Sequence, residues 1–132
     1  MKIIYFITIL LITNFSFAQK EYIKTYHQNG KLNQEGWMQN NMKTGYWFYY
    51  DENGNKKAEG HYTENRKDKW WIFYDSKQVL LKKCEYKNNN LDGLAIIYKS
   101  GKISCVEQYI EGKKIKTWHS ISAFKKDNPL IR

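Results

Sequence analysis

The sequence predicts an all-β fold: an antiparallel meander of repeated β-hairpins, about nine strands with a 24-residue repeat, forming a single elongated sheet. Three observations predict it. Tyr26, Tyr50, Tyr74 and Tyr98 stand 24 residues apart, three times running. Short aromatic and β-branched runs alternate with turn residues throughout, and each run has the length of a strand rather than of a helix. The only proline of the chain is Pro129, so nothing before it interrupts strand pairing.

The first segment lies outside that fold. Residues 1–18 carry one lysine, Lys2, followed by an apolar run over 3–17. Ser16 and Ala18 are the small residues that precede a cleavage point before Gln19. This is the pattern of a secretory signal peptide, cleaved on export to the periplasm, the cell envelope or the medium. A span through the membrane is the alternative, and the run is near the lower length limit for one. The repeat domain is then expected over 19–122, and a tail over 123–132.

Within the domain each unit reads as two strands. The runs "YWFYY", "WWIFY" and "LAIIY" are followed by "DENG", "DSKQ" and "KSG", then by a second run such as "KKAEGHY" or "LLKKCEY". The first strand is expected over 22–26 and the last over 118–122. Other positions keep the period: Glu35 and Glu59, Gly45 and Gly93, Asn41, Asn65 and Asn89, Trp47 and Trp71. The last unit stays in step once one residue is removed from its turn, which aligns Gly101, Tyr109, Gly112 and Trp118.

Turn chemistry predicts the strand register. A three-residue loop over Glu52, Asn53 and Gly54 fits a type I turn closed by a left-handed glycine. Tyr50 then pairs with Lys56, Phe48 with Ala58 and Tyr46 with Gly60; likewise Tyr22 with Gly36, Trp70 with Cys84 and Tyr98 with Ile103. Large rings would cover small residues on the neighbouring strand. The register assigns Tyr46, Phe48, Tyr50, Trp70, Ile72, Tyr74, Leu94 and Ile96 to the core face. It assigns Trp37, Trp47, Tyr49, Trp71, Phe73, Ile97 and Trp118 to a mixed face, beside Glu35, Glu59 and His61. On that face Trp37, Trp47, Tyr49, Trp71 and Phe73 form the candidate binding stripe. The alternative is that these rings only pack the sheet.

These repeats resemble the MORN-repeat variant family, which includes the YwqK-type antitoxin proteins. The matching residues run from Tyr50 to Tyr74, "YDENGNKKAEGHYTENRKDKWWIFY", with their flanking units. The resemblance covers about residues 22–118. Gln78 departs from it at a turn glycine, Lys69 and Lys116 stand where Gly45 and Gly93 set the pattern, and Ala95 replaces a tryptophan. The resemblance implies contacts with proteins or lipids, and an antitoxin or immunity-type role that sequesters a toxin. A leader peptide argues against neutralising a cytoplasmic toxin.

Chemistry-bearing motifs are missing. His27, His61 and His119 occupy unrelated repeat positions, and no phosphate-binding glycine loop, nucleophile elbow or paired-histidine helix is present. We expect no enzyme, no catalytic or metal-binding residues and no cofactor. Cys84 and Cys105 fall two strands apart, about 9–10 Å, beyond the roughly 7 Å that a disulfide spans between Cα atoms. The net charge of +9 suits an anionic partner. For an exported chain that means a protein, an anionic lipid or an acidic polysaccharide rather than nucleic acid.

Overall fold

The computed structural model describes residues 19–129. The expected leader over 1–18 lies outside the described residues, as does the end of the tail. Nine strands follow in chain order: β1 (Glu21–Tyr26), β2 (Leu32–Gln39), β3 (Met42–Tyr50), β4 (Lys56–Thr63), β5 (Arg66–Tyr74), β6 (Leu80–Lys87), β7 (Asn90–Lys99), β8 (Lys102–Ile110) and β9 (Lys113–Trp118). They form one open sheet in which every strand pairs antiparallel with its sequence neighbours. A short helix, α1 (Ile121–Asp127), packs on β8 and β9.

Two kinds of turn build the meander, largely one at each end of the strands; the exception is Ser100–Gly101, a two-residue turn at the end where the others have three. At one end a three-residue loop closes with a left-handed residue. Asp51 N–H donates to Asn55 O at 2.8 Å, and Gly54, at φ 89°, donates to Asp51 O at 3.0 Å. The same bonds recur at His27–Lys31 and Asp75–Val79, with Gln78 holding the left-handed position at φ 64°. The Gln78 side chain accepts from Lys56 N–H and donates to Lys56 O, which ties this turn to the one before it. At the other end are two-residue turns with positive φ at both positions: Asn40–Asn41, Glu64–Asn65 and Asn88–Asn89. That geometry matches the twist of the strands, and asparagine tolerates it better than most residues.

Each turn at the first of these ends, the two-residue Ser100–Gly101 included, is followed by one extra residue. Tyr50 pairs with Lys56 as the turn predicts, but Tyr49 then pairs with Ala58, leaving Lys57 as a bulge. Asn33, Leu81 and Ser104 are skipped in the same way. A slip of one residue exchanges the two faces of everything beyond it. On β3 the partners of Glu59, Gly60 and His61 are therefore Phe48, Trp47 and Tyr46, and on β5 they are Ile72, Trp71 and Asp68. Gly36 faces Ile23 and Trp47, and Cys84 faces Trp71. This reverses the expected assignment of core and mixed faces. Trp47, Trp71, Cys84 and Ala95 are buried, whereas Tyr46, Phe48 and Tyr50 are only half-buried.

Most of the sheet has no second layer, so burial comes from rings lying flat on the neighbouring strand. The Trp47 indole lies over Gly36 and the Trp71 indole over Gly60. A methyl group at either glycine would come within 3.0 Å of indole carbons. Neither glycine has positive φ; both are needed for space. In the third unit Ala95 takes the tryptophan position and Cys84 the glycine position, so a larger seat accompanies the missing ring.

The C-terminal end differs from the expected strand over 118–122 and tail over 123–132. The strand stops at Trp118, and Ser120 caps α1, its hydroxyl accepting from Ala123 N–H at 3.1 Å. A side-chain acceptor at that position satisfies a free amide of the first turn, which favours helix over strand. β9 also keeps only one extra residue, Ile115, where β3 has Gly45 and Tyr46 and β5 has Lys69 and Trp70. Gly45 and Lys69 hold positive φ, 66° and 59°, whereas Lys116 does not. Trp118 therefore emerges on the opposite face from Trp47 and Trp71. There it packs with Val106 and with Phe124 of α1, ring centroids 5.1 Å apart.

Candidate functional site

The two faces differ in chemistry. On the glutamate face, carboxylates are enclosed by tyrosines and lysines. Tyr50 donates to Glu35 at 2.8 Å, and Lys24 pairs with the same carboxylate at 3.2 Å. Partial burial opposes ionisation of Glu35, but the bonds from Tyr50 and Lys24 outweigh it and hold the carboxyl below its ordinary range. One repeat on, Glu59 is only 8% exposed, accepts from Tyr74 and pairs with Lys56 at 3.1 Å. These clusters are satisfied internally, and each lysine in them has its counter-ion.

The tryptophan face is built differently. Trp47, Tyr62, Trp71 and Tyr86 meet edge to face along the sheet, with centroid distances of 6.1, 5.0 and 6.4 Å. Lys43 lies 4.4 Å above the Trp47 ring and Lys67 4.6 Å above that of Trp71. Both lysines come from the start of a strand and are fixed by an asparagine of the following turn. Lys43 N–H donates to Asn65 Oδ1 and Lys67 N–H to Asn89 Oδ1, at 2.6 and 2.7 Å. Burial lowers the proton affinity of both ammonium groups, and Lys82 adds to the effect at Lys67. Their attraction to the ring faces offsets part of that cost.

Of the five candidate binding residues, the structure brings four together. Trp47, Tyr49, Trp71 and Phe73 share this face, and Trp37 does not. Trp37 pairs with Tyr22 on the glutamate face, ring centroids 5.1 Å apart. Trp47 and Trp71 have 0% and 1% of their surface exposed, so neither presents a ring to a ligand. Their indole N–H groups are used as well, donating to Trp37 O at 3.1 Å and His61 O at 2.9 Å. They form the floor of the site. Tyr49 and Phe73 form its walls.

Between those walls is a groove of about 180 Å³ lined by Tyr49, Lys57, Ala58, Tyr62, Lys67, Trp71 and Phe73. It exists because Ala58, on the strand between the two rings, is small. The Tyr49 hydroxyl is not free to serve a ligand: it accepts from Lys43 and donates to the Tyr62 hydroxyl at 2.9 Å. Burial, then that bond, pushes its ionisation far above the ordinary tyrosine range. Lys82 completes the rim, 4.8 Å over the Phe73 ring. Sequence reasoning missed Ala58, Lys67 and Lys82. The 24-residue recurrence of Lys43 and Lys67, and a small residue midway between Tyr49 and Phe73, were the available signals.

Two larger hollows, of about 380 and 330 Å³, lie among the hairpin turns. They are lined by polar residues of the turns and adjoining strand ends, such as Asn88, Asp92 and Glu111 in one and His27 and Asn29 in the other. Among the described residues no group of three or more His, Cys, Asp or Glu is placed to hold a metal ion. Cys84 and Cys105 are free, the first buried and the second partly exposed.

No protein-family model matches the sequence, and no curated protein does. Among solved structures, a chain of the crystallised GtfA/B complex bound to UDP and GlcNAc is similar at 9% identity with a TM-score of 0.48. The match covers 86% of this chain and 27% of that one. At that level of similarity it carries no assignment of activity.

Proposed function

We propose that this is an exported, non-catalytic repeat protein of the MORN-like kind, which binds a protein partner across the tryptophan face of its sheet. The observation that carries the reading is the groove between Tyr49 and Phe73, an open apolar slot on a rigid, aromatic-floored surface. At about 180 Å³ it is smaller than the roughly 300–1,000 Å³ of sites that enclose a small-molecule ligand. It is of the size that takes a single side chain of a larger partner, as interface anchors do. The 24-residue recurrence of turns, bulges and asparagine clasps supports the repeat-family reading, because each unit fixes the next in one register.

The test is site-specific photo-crosslinking in cell-envelope extracts. A photoreactive residue at position 57, on the rim of the groove, should capture a discrete protein saturably. One at position 83, on the glutamate face, should not. Equal capture at both positions, or none at 57, would refute the proposal. Capture of lipid or glycan alone at position 57 would replace the protein partner with that class.

A further inference from the structure

We infer that the groove receives an acidic polypeptide segment through one aromatic anchor, seated over Ala58 between Tyr49 and Phe73, with flanking carboxylates on Lys57, Lys67 and Lys82. This deepens the reading of the tryptophan face as a protein-binding surface and rests on it.

Charge is the first argument. Lys24 and Lys56 on the glutamate face each pair with a carboxylate, and Arg66, Lys114 and Lys116 have theirs. Lys57, Lys67 and Lys82 have no carboxylate within ion-pair distance among the described residues. No carboxylate lines the groove either. Three cations surround an apolar slot without an ion pair of their own; Lys82 feels the Glu107 carboxylate only at longer range. The field they create favours an acidic partner and disfavours a basic one. Lys67 is partly desolvated and its proton affinity is lowered; a carboxylate from a partner would reverse that shift.

Shape is the second argument. Tyr49 and Phe73 stand on β3 and β5, two strands apart and so about 9–10 Å between backbones. That leaves room for one flat ring between the two wall rings, with the Ala58 methyl below it. Aromatic pairs in offset or edge-to-face contact add to the gain from burial alone.

The third argument separates a peptide from a glycan. Sugar hydroxyls ask for in-plane donors and acceptors beside the stacking ring. The groove offers no free acceptor: the hydroxyls of Tyr49 and Tyr62 bond to each other, no amide or carboxylate lines it, and its free donors are the lysine ammoniums, which suit carboxylates better than neutral hydroxyls.

The experiment uses the purified protein and three end-blocked peptides: Glu-Glu-Phe-Glu-Glu, its Phe-to-Ala version, and its Glu-to-Gln version. Acidic polygalacturonate and phosphatidylglycerol vesicles serve as competing probes. We expect the first peptide to bind saturably, and each altered peptide to bind about tenfold more weakly or worse. Ala58→Leu should fill the slot and weaken binding by a similar factor. The pair Lys57→Glu and Lys82→Glu changes rim charges without touching the floor, and should weaken the acidic peptide while inverting its salt dependence, because the rim then repels it. Equal binding of all three peptides overturns the inference, as does absence of saturable binding. A preference for polygalacturonate or vesicles that Ala58→Leu removes overturns the peptide while leaving the face a binding surface. Loss of the photo-crosslink at position 57 would overturn both readings.

Discussion

Gly60→Ala tests the central packing element of this sheet. The added methyl would sit within 3.0 Å of the Trp71 indole carbons. Carbon atoms settle about 3.5–4.0 Å apart, so the ring must withdraw by on the order of 1 Å. It has little room to do so. The ring is 1% exposed, its N–H is bonded to His61 O at 2.9 Å, and Tyr62 meets it at 5.0 Å. Overpacking of this kind costs about 1–3 kcal/mol, and loss of the indole hydrogen bond about 0.5–1.5 kcal/mol. Alanine lowers the entropy of the unfolded chain and returns about 0.4–1 kcal/mol. The net destabilisation is about 2 kcal/mol, or a fall in Tm on the order of 10 °C. Urea titration followed by tryptophan fluorescence and circular dichroism measures it. Gly30→Ala is the contrast: open space surrounds it, and its cost of about 1 kcal/mol arises from φ +82° alone. In a Trp71→Ala background the steric part of the Gly60→Ala penalty should vanish. A penalty below about 0.5 kcal/mol, or the same penalty with and without the indole, would refute the idea that Gly60 is a seat for Trp71.

Three further outcomes follow. Lys69→Gly should stabilise by about 0.5–1 kcal/mol in thermal melts, because Lys69 holds φ 59°, where a side chain is strained; a loss of stability would refute that. Burial, then hydrogen bonding to Glu107, pushes Tyr109 up to about 12, and burial raises Tyr49, Tyr50 and Tyr74 further. A folded-state pKa above the unfolded value gives stability that is intact below about pH 10 and lost as pH rises toward Tyr109's value. The tyrosinate absorbance of these enclosed rings should therefore appear together with loss of the sheet signal, after that of exposed rings such as Tyr26, and ionisation of every ring with the sheet intact would count against it. Burial raises both thiols, and Cys84 is enclosed whereas Cys105 is partly open. Without reductant both should label after denaturation, but in the native protein Cys84 should react at least about a hundredfold more slowly; equal rates would contradict the burial.

The fold was legible because its punctuation is chemical. Left-handed turn positions select glycine and asparagine, and Gly54, Asn65 and Asn89 announce themselves at a fixed period. The faces were not legible, because the residue that sets them has no fixed type. Asn33, Lys57, Leu81 and Ser104 occupy the same bulge and share no chemistry. A single uncounted residue therefore placed Tyr46 and Phe48 in the core and Trp47 and Trp71 outside it. The walls of the site, Tyr49 and Phe73, were found from their place in the aromatic runs. Its lysine rim was not, because Lys57, Lys67 and Lys82 look like any solvated lysine until the rings beneath them are placed.

The one-residue slip in β9 also gives the polymer of hairpins a terminator. Every earlier unit returns the chain in phase, so another copy could dock on it and the array has no intrinsic length. At the last unit the tryptophan turns over, meets Phe124 of α1, and leaves no indole to roof a further strand. The outer strand there is rich in Lys113, Lys114 and Lys116, which resists edge-to-edge growth. Length is thus written separately from shape. Duplicating residues 50–73 should lengthen the sheet by one unit without disturbing either end, and would add a second aromatic slot to the ruler.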